Sequence, residues 1–262
     1  MNLNLEGKSA LVAGSTQGIG KASALQLAEM GASVVLLARN EEKLKAVKEE
    51  LANNGSQNHA YIVADFSSPE NVAKAIGAWD FAKNPIHILI NNTGGPPGGQ
   101  AIEANLDAYR QAFNSHLINN QILAQAVVAS MKSAGYGRII NVISTSVKAP
   151  LANLGVSNTI RGAVANWSKT LANELGQFNI TVNNVLPGAT HTARLQQIAE
   201  GKAAKTGQSV EAIFEAFANQ VPMKRVAQAE EVANAIAFLA SPAASYINGI
   251  NVPVDGGRTP AL

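Results

Sequence analysis

The chain has 262 residues, of which 47% are hydrophobic and 15% charged, with a formal net charge of +2 and no cysteine. This composition is typical of a globular protein with a substantial core, and the lack of thiols excludes disulfides, thiol catalysis and Cys-ligated metal sites. Because no dense basic block is present, we expect neither a nucleic-acid nor a membrane partner.

Short apolar runs alternate with longer amphipathic segments along the whole chain. The predicted strands cover residues 9–12, 33–37, 61–64, 86–90, 138–143, 181–186 and 251–254. The predicted helices cover residues 18–30, 41–53, 69–81, 106–133, 155–175 and 230–240. Strands that are apolar throughout indicate a parallel sheet covered on both faces, and the alternation indicates right-handed βαβ crossovers. We predict one α/β domain over residues 1–262: a Rossmann-type, doubly wound parallel sheet of about seven strands with helices on both faces.

Two further expectations come from what the sequence lacks. No apolar run reaches the ~18 residues of a membrane span, and the first residues show no secretory signal, so we expect a cytoplasmic protein. The four histidines are scattered without ligand spacing, so no metal site is expected.

A glycine-rich turn joins the first strand to the first helix. Its residues are Gly14, Ser15, Thr16, Gln17, Gly18, Ile19 and Gly20. Glycine permits the tight turn and the approach of a pyrophosphate, while the helix N-terminus offers N–H groups and a positive dipole end. This context predicts that the seven residues bind a dinucleotide; a turn without a ligand is the alternative.

The second strand is followed by Arg39, with no acid available for a ribose 2′-hydroxyl. An arginine can pair with a 2′-phosphate through charge-assisted hydrogen bonds. The position therefore favours NADP(H) over NAD(H), unless Arg39 is an ordinary surface residue beside a helix start.

Two segments after strand ends are candidates for the walls of a ligand crevice. Residues 189–224 break the strand–helix rhythm, with a helical piece near 210–217, and form either a substrate lid or a solvated surface excursion. Residues 91–99 are rich in Gly and Pro and should border the crevice through backbone shape, unless they form a plain surface loop.

Several separate motifs occur in a recognisable order. They are the spacing of Gly14, Gly18 and Gly20, then Asp65, Asn91-Asn92-Thr93-Gly94, Ser144, Pro187-Gly188 and Asp255-Gly256-Gly257. In this order the chain resembles the short-chain dehydrogenase/reductase family over nearly its whole length, most closely the β-ketoacyl-acyl-carrier-protein reductase-like members.

The resemblance implies roles for cofactor-binding residues and an oligomeric state. It places Asp65 and Phe66 at the adenine. It places Asn91, Asn92 and Gly94 along the cofactor, and Pro187, Gly188 and Thr192 beside the nicotinamide. It also implies a homotetramer in which the predicted helices 106–133 and 155–175 pack between subunits.

The catalytic tetrad of the family is altered in this chain. Ser144 matches, but His116 aligns with the family Asn, and Ser157 and Arg161 replace the Tyr and Lys. No other tyrosine has the required spacing with a lysine four residues later. The departures Ala13 and Thr93 in the cofactor motifs are mild.

The altered tetrad limits the chemistry that we expect. A serine hydroxyl is a far weaker acid than a phenol, and an arginine does not release its proton. Losing a general acid costs ~10²–10⁴-fold, whereas holding hydride donor and carbonyl together can retain effective molarities of ~10⁵–10⁸ M. His116 or His191 could supply the proton, or each could be structural; Ser144 with Arg161 could polarise a carbonyl oxygen.

Three functions agree with these observations. The first is NADP(H)-dependent reduction of a carbonyl, such as a 3-oxoacyl thioester, using Ser144, Ser157, Arg161 and His116. The second is a catalytically silent NADP(H)-binding sensor or partner subunit. The third is another reaction on the same fold, such as dehydration or isomerisation.

Overall fold

A seven-stranded parallel sheet organises the described part of the chain, residues 1–261 of the computed structural model. The strands are β1 (Ser9–Ala13), β2 (Ser33–Ala38), β3 (Ala60–Val63), β4 (Ile88–Asn91), β5 (Gly137–Val142), β6 (Ile180–Pro187) and β7 (Asn251–Val254). Their order in the sheet is β3-β2-β1-β4-β5-β6-β7. The direction of winding reverses between β1 and β4, and this reversal opens a crevice beyond the carboxyl ends of the strands. The predicted doubly wound Rossmann-type sheet is confirmed.

Helices cover both faces of the sheet. They are α1 (Gly18–Glu29), α2 (Glu41–Glu50), α3 (Pro69–Gly77), α4 (Leu106–Phe113), α5 (Asn119–Ala134), α6 (Gly155–Leu175), α7 (Ala193–Thr206), α8 (Val210–Asn219) and α9 (Ala229–Ala240). Alternate residues of β1 enter two separate cores. Val12 packs with α1, α2 and α9, whereas Leu11 packs with α3, α5 and α6. This two-sided burial explains why the strands are apolar throughout.

Local capping chemistry sets the helix starts. Ser68 caps α3, as its hydroxyl accepts a hydrogen bond from the Asn71 N–H at 3.1 Å with Pro69 in the first turn. Asn40, Asn105, Thr192 and Ser209 cap α2, α4, α7 and α8 in the same way. Strands and helices agree with the sequence predictions to within a few residues, and α2 and α3 end earlier than predicted.

The helix predicted over residues 106–133 contains a π-helical turn, Asn114–Ile118, between α4 and α5. This π-helical turn contains more residues than an α-helical turn, so it changes the direction of the side chains that follow it. His116 lies in this turn and is buried. Such turns are rare and occur often at functional sites.

The segment 189–224 contains two helices rather than the single helical piece that we predicted. Helix α8 includes that piece, whereas α7 was not expected. Only Ala199 is buried in α7, so the helix shows little of the apolar periodicity on which a sequence prediction depends.

Candidate active site

A cavity of about 590 Å³ lies at the switch point of the sheet. Residues predicted to bind a cofactor line much of it: Gly14, Thr16, Gln17, Gly18, Ile19, Arg39, Asp65, Phe66, Asn92, Gly94, Pro187, Gly188 and Thr192. The volume lies within the range of small-molecule sites. The structure thus brings these residues together from five loops that are distant in the sequence.

The turn after β1 is held in shape by its glycines. Gly14 has φ +62°, and a Cβ there would lie 2.6 Å from the Asn92 carbonyl oxygen. Gly18 has φ +53°, also in the left-handed region, and borders the cavity. The Asn92 amide Nδ2 donates to the Ala13 and Gly14 carbonyls, both at 3.3 Å. The backbone of the turn is therefore fixed beside the N-terminus of α1, whose first residues line the cavity.

Ser15 and Gly20 do not line the cavity, in contrast to the prediction. Ser15 is fully buried, and its hydroxyl accepts a hydrogen bond from the Leu37 N–H at 3.0 Å. A Cβ at Gly20 would collide with the Gly14 carbonyl oxygen. Both residues support the conformation of the turn from its buried side. The chain is packed too closely there to leave room for a ligand.

Arg39 and Asp65 lie at one end of the cavity, where β2 and β3 end. Hydrogen bonds from Ser67 lower the pKa of the Asp65 carboxyl, and the positive charge of Arg39 acts in the same direction. Asp65 is the only carboxylate that lines the cavity within the described residues. An exposed arginine beside it leaves room for an anionic ligand at this end.

Asn91 does not contact the cavity, although the resemblance placed it along the cofactor. It is buried, and its Nδ2 donates to Asn141 Oδ1 at 2.8 Å. Asn141 in turn donates to Asn184 Oδ1 at 3.0 Å. This chain of amides links β4, β5 and β6, so Asn91 has a structural role beneath the site.

Arg161 extends from α6 to the cavity wall. It is 7% exposed, and its Nη1 donates to the Val142 carbonyl at 3.0 Å. Its Nε has no hydrogen-bond partner in residues 1–261. Burial lowers the pKa of the guanidinium to about 10, which leaves it protonated at neutral pH. A Cβ on Gly95 would lie 3.8 Å from Nη2, so this nitrogen borders the loop after β4.

His116 is buried beside Arg161 and is neutral at neutral pH. Its Nδ1 lies 2.5 Å from the Thr93 hydroxyl oxygen. Burial, together with the charge of Arg161, lowers the pKa of the imidazole to about 3. An imidazolium is therefore absent at pH 7, and of the two roles that the sequence left open for His116 this favours the structural one.

His191, the second candidate acid, lies on the surface outside the cavity. Its ring stacks on Phe214 with centroids 5.1 Å apart, and its backbone N–H donates to the Ala227 carbonyl at 2.7 Å. It does not line the cavity. His191 thus joins α8 to the loop before α7.

The two candidate serines also lie outside the cavity lining. The Ser144 hydroxyl accepts a hydrogen bond from the Ser146 N–H at 3.1 Å and caps the short 3-10 turn Thr145–Val147. Ser157 is half-buried on α6. Of the four candidate catalytic residues, only Arg161 contributes to the cavity wall.

Helix α7 contributes cavity residues that the sequence analysis missed. Arg194, Leu195 and Ile198 face the cavity, and Arg194 Nη2 donates to the Pro96 carbonyl at 2.7 Å. One signal was present in the sequence: Arg194 follows the Thr192 cap closely, and a cation in the first turn of a helix opposes the helix dipole. Such a placement is unfavourable for the helix alone and indicates another role.

Comparisons with known proteins place this architecture in a family. The sequence model described as enoyl-(acyl carrier protein) reductase matches residues 13–259. The 3-oxoacyl-(acyl-carrier-protein) reductase FabG of Pseudomonas aeruginosa is 34% identical over 257 residues, covering 97% of this chain and 98% of that protein. The chain belongs to the short-chain dehydrogenase/reductase family.

Two further relatives are similar over the same extent. The NADPH-dependent reductase BacG of Bacillus subtilis is 34% identical over 256 residues, covering 97% of this chain and 99% of that protein. The L-sorbose reductase of Gluconobacter frateurii, solved with NADPH and L-sorbose, has a TM-score of 0.93 and 30% identity over the full length of both chains.

Two negative findings apply to residues 1–261. None of the helices there is both long enough and apolar enough to cross a bilayer. No cluster of three or more His, Asp or Glu side chains in this part of the chain has the arrangement of a metal site.

Proposed function

We propose that this protein is an NADPH-dependent oxidoreductase that reduces a carbonyl compound in the cavity at the switch point. The observation that carries the proposal is the juxtaposition of a glycine turn and Arg39 at one end with the buried guanidinium of Arg161 at the other. The proposal is supported by relatives that are named as a 3-oxoacyl-(acyl-carrier-protein) reductase and as an NADPH-dependent reductase. A 3-oxoacyl thioester is therefore one substrate class to test.

The cavity fits NADP(H) by its shape and its charge. The positive φ of Gly14 and Gly18 leaves the backbone of the turn free of side chains, as close approach of a pyrophosphate requires. Arg39 would hold the 2′-phosphate, and Asp65 and Phe66 would border the adenine. Pro187, Gly188 and Thr192 would border the nicotinamide. When bound, the nicotinamide supplies the hydride for carbonyl reduction.

Arg161 is the residue that we assign to the carbonyl oxygen. Arg161 lines the cavity, and its Nη2 borders the loop after β4, so the guanidinium can stabilise a negative charge that develops there. With a pKa of about 10 the group stays charged and does not deliver a proton at neutral pH. Since Ser144 and Ser157 do not line the cavity, water supplies the proton in this proposal.

Residues 189–224 form a substrate lid in this proposal. Helix α7 spans one side of the cavity, and the bond from Arg194 to the Pro96 carbonyl ties it to the loop after β4. Hydrogen exchange of α7 and α8 should slow when NADPH binds, and Arg194→Ala should reduce that protection. Equal exchange with and without NADPH would contradict a lid.

One observation favours a second function, the silent NADP(H)-binding protein. Side chains of Ser144 and Ser157 are absent from the cavity lining, and His116 is uncharged at neutral pH. A chain with this site could bind the cofactor without turnover and act as a sensor or partner subunit.

NADPH oxidation by the purified protein distinguishes the two functions. The substrates are 3-oxoacyl thioesters, diketones, 2-oxo acids and aldehydes. We expect turnover that falls by about tenfold or more in Arg161→Ala. Arg258→Ala is the matched control, because Arg258 does not line this cavity. Saturable NADPH binding with no turnover on any substrate would favour the silent protein.

The homotetramer implied by the resemblance is also part of the proposal. The first helix of the predicted interface carries two exposed apolar side chains, Leu106 and Phe113. Exposed apolar side chains on a surface helix support association with another protein surface in this proposal.

A further inference from the structure

One hydroxyl of the cavity lining differs from its neighbours in its hydrogen bond. Three others donate to backbone carbonyls, so their protons are not available to a ligand. These three belong to Ser115, Thr190 and Thr192. Thr93 also lines the cavity, but its Oγ1 lies 2.5 Å from Nδ1 of His116, a nitrogen that can either donate or accept.

Thr93 lies at the point where the winding of the sheet reverses. It follows the end of β4 by two residues, and the reversal occurs between β1 and β4. Its neighbour Asn92 is fixed by hydrogen bonds to the backbone of the glycine turn. Thr93 is therefore held at the part of the crevice where sheets of this kind bind their ligands.

Arg161 is anchored at the neighbouring strand end. Strands β4 and β5 are adjacent, with Asn91 paired to Asn141, and Val142 follows Asn141 directly. The Val142 carbonyl accepts a hydrogen bond from Arg161 Nη1. Since adjacent strands lie about 5 Å apart, Thr93 and the anchor of the guanidinium occupy neighbouring positions on one edge of the sheet. A neutral hydroxyl thus lies beside the cation that we assign to the carbonyl oxygen.

His116 contacts Thr93 from the buried side of the site. It lies in the π-helical turn, 23 residues further along the chain, and the charge of Arg161 acts on its ring. Both Thr93 and His116 depart from the family pattern. Because the fold joins the two departures in one hydrogen bond, we treat them as a unit.

The position of the imidazole proton decides what the Thr93 hydroxyl can do. With a pKa of about 3 the ring is neutral at neutral pH, so one nitrogen carries a proton and the other does not. A proton on Nδ1 is donated to Oγ1 and leaves the hydroxyl proton free for the cavity. A proton on Nε2 would instead make the hydroxyl donate to the ring.

The surroundings of the ring favour the proton on Nδ1. Within residues 1–261 the hydrogen bond to Thr93 is the only one that the His116 ring makes. An N–H that is buried without an acceptor is costly. A proton on Nε2 would have this cost, whereas a proton on Nδ1 has Oγ1 as its acceptor.

We propose that Thr93 is a catalytic residue that donates a hydrogen bond to the carbonyl oxygen of the substrate, and that His116 is its positioning residue. This inference rests on the proposed function and adds a second donor beside Arg161. Preorganised donors stabilise the negative charge that develops on the oxygen. The Thr93 proton stays on Oγ1 in this step, and the proton that completes the alcohol comes from water, as proposed above.

The tautomer of His116 tests the inference in the ligand-free protein. Nitrogen NMR of protein labelled in its histidines distinguishes a ring nitrogen that carries a proton from one that does not. The resonances of this ring are those that disappear in His116→Gln. We expect the proton on Nδ1 in the wild type and in Thr93→Ser, which keeps the accepting oxygen.

Carbonyl reduction gives the second test. Thr93→Val should lower kcat by about 10²-fold, the typical cost of losing one such donor, while the affinity for NADPH is unchanged. Thr93→Ser keeps the hydroxyl and should keep kcat close to that of the wild type. Ser115→Ala is the matched control, because it removes another hydroxyl from the same cavity and should leave kcat unchanged.

A double variant tests whether His116 acts through Thr93. If it does, adding His116→Leu to Thr93→Val should lower kcat no further, because both changes remove the same donor. A large further loss would give His116 a separate role and overturn its assignment as a positioning residue.

Failure of the inference is distinguishable from failure of the proposed function. A proton on Nε2 in the wild type, or equal kcat in Thr93→Val and the wild type, would overturn the donor role of Thr93 and leave a reductase that depends on Arg161. A proton on Nδ1 with no turnover on any carbonyl would contradict the reductase, and with it the catalytic role of Thr93.

Discussion

Arg161 and His116 show how burial decides the state of a side chain. Both lie close together beneath the loop after β4, and each has a pKa lowered by desolvation. The imidazole loses its charge, whereas the guanidinium keeps it at neutral pH. A charged group retained without a counterion stores free energy that a ligand can release on binding.

Replacing Arg161 by methionine should stabilise the protein. An apolar side chain of similar length removes a buried unpaired charge at the cost of one hydrogen bond to Val142, so we expect a gain of about 1–2 kcal/mol in the free energy of unfolding. Arg138→Met is the matched control. Arg138 is also buried, but it donates to the Gly137 carbonyl and stacks on the Tyr136 ring, so its loss should destabilise.

Denaturant unfolding measures both effects. A destabilised Arg161→Met protein would show that the guanidinium is already compensated within the chain. The expected opposite signs of the two variants separate a buried arginine with an unsatisfied Nε from one whose donors meet carbonyls and whose charge lies over a ring.

His116 should make the protein sensitive to mild acid. Its pKa is 6.5 when unfolded and about 3 when folded, so the unfolded chain binds the extra proton and stability falls as pH drops from 6.5 toward 3. Between pH 6.5 and 4.5 this costs about 2 kcal/mol. His116→Gln should remove that part of the acid sensitivity in urea unfolding.

His191→Gln serves as the control for the substitution itself, since His191 lies on the surface. An unchanged acid dependence in His116→Gln would mean that another group titrates there.

The turn between β1 and α1 shows how a short element can be specified by its backbone. Gly14 and Gly18 take left-handed conformations, and Asn92, from the loop after β4, holds the turn by hydrogen bonds. The turn therefore depends on contacts from β4 as well as on its own glycines. Helix α7, in contrast, begins at the Thr192 cap, and its Arg194 hydrogen-bonds to the loop after β4.

Gly14→Ala should weaken NADPH binding by at least tenfold and lower the melting temperature. The φ of +62° is strained for alanine, and its Cβ would lie 2.6 Å from the Asn92 carbonyl oxygen. Gly77→Ala is the control, because a Cβ there meets nothing within 4 Å and Gly77 ends α3. This change should stabilise the protein by about 0.5–1 kcal/mol. Fluorescence titration and thermal unfolding measure both variants; normal NADPH affinity in Gly14→Ala would exclude the turn from the cofactor site.

The whole molecule combines a rigid sheet with a cavity at its switch point. Loops that follow β1, β2, β3, β4 and β6 converge there because parallel strands end at one edge. The charges within the cavity come from elements that are distant in the chain. The proposed homotetramer belongs to this scale as well, since Leu106 and Phe113 of α4 are exposed.

Phe113→Asp should break the proposed homotetramer. Leu106 is 69% and Phe113 39% exposed on α4, and a carboxylate at position 113 would be desolvated in the interface. Analytical ultracentrifugation should show four copies for the wild-type chain and fewer for the variant. Val63→Asp, at an exposed position of β3, is the control and should leave the assembly intact. A wild-type monomer would contradict the proposal.

The order of strands and helices, the sheet type and the glycine turn were predictable because they depend on local pattern. Apolar runs without alternation require burial on both faces, and Ser68-Pro69 defines a helix start within three residues. The lining positions of Gly14, Arg39 and Asp65 follow from the same logic, since each comes directly after a strand.

The chemistry of the site was decided by the tertiary structure. Whether Arg161 has a counterion depends on which carboxylates α6 meets in space, and whether His116 is charged depends on its burial and on Arg161. Ser144 and Ser157 lie outside the cavity lining because of how the folded chain packs, and their spacing in the sequence does not determine this. Sequence pattern determines what local sterics and hydrophobic burial require, whereas pKa values and counterions depend on neighbours that only the folded chain brings together.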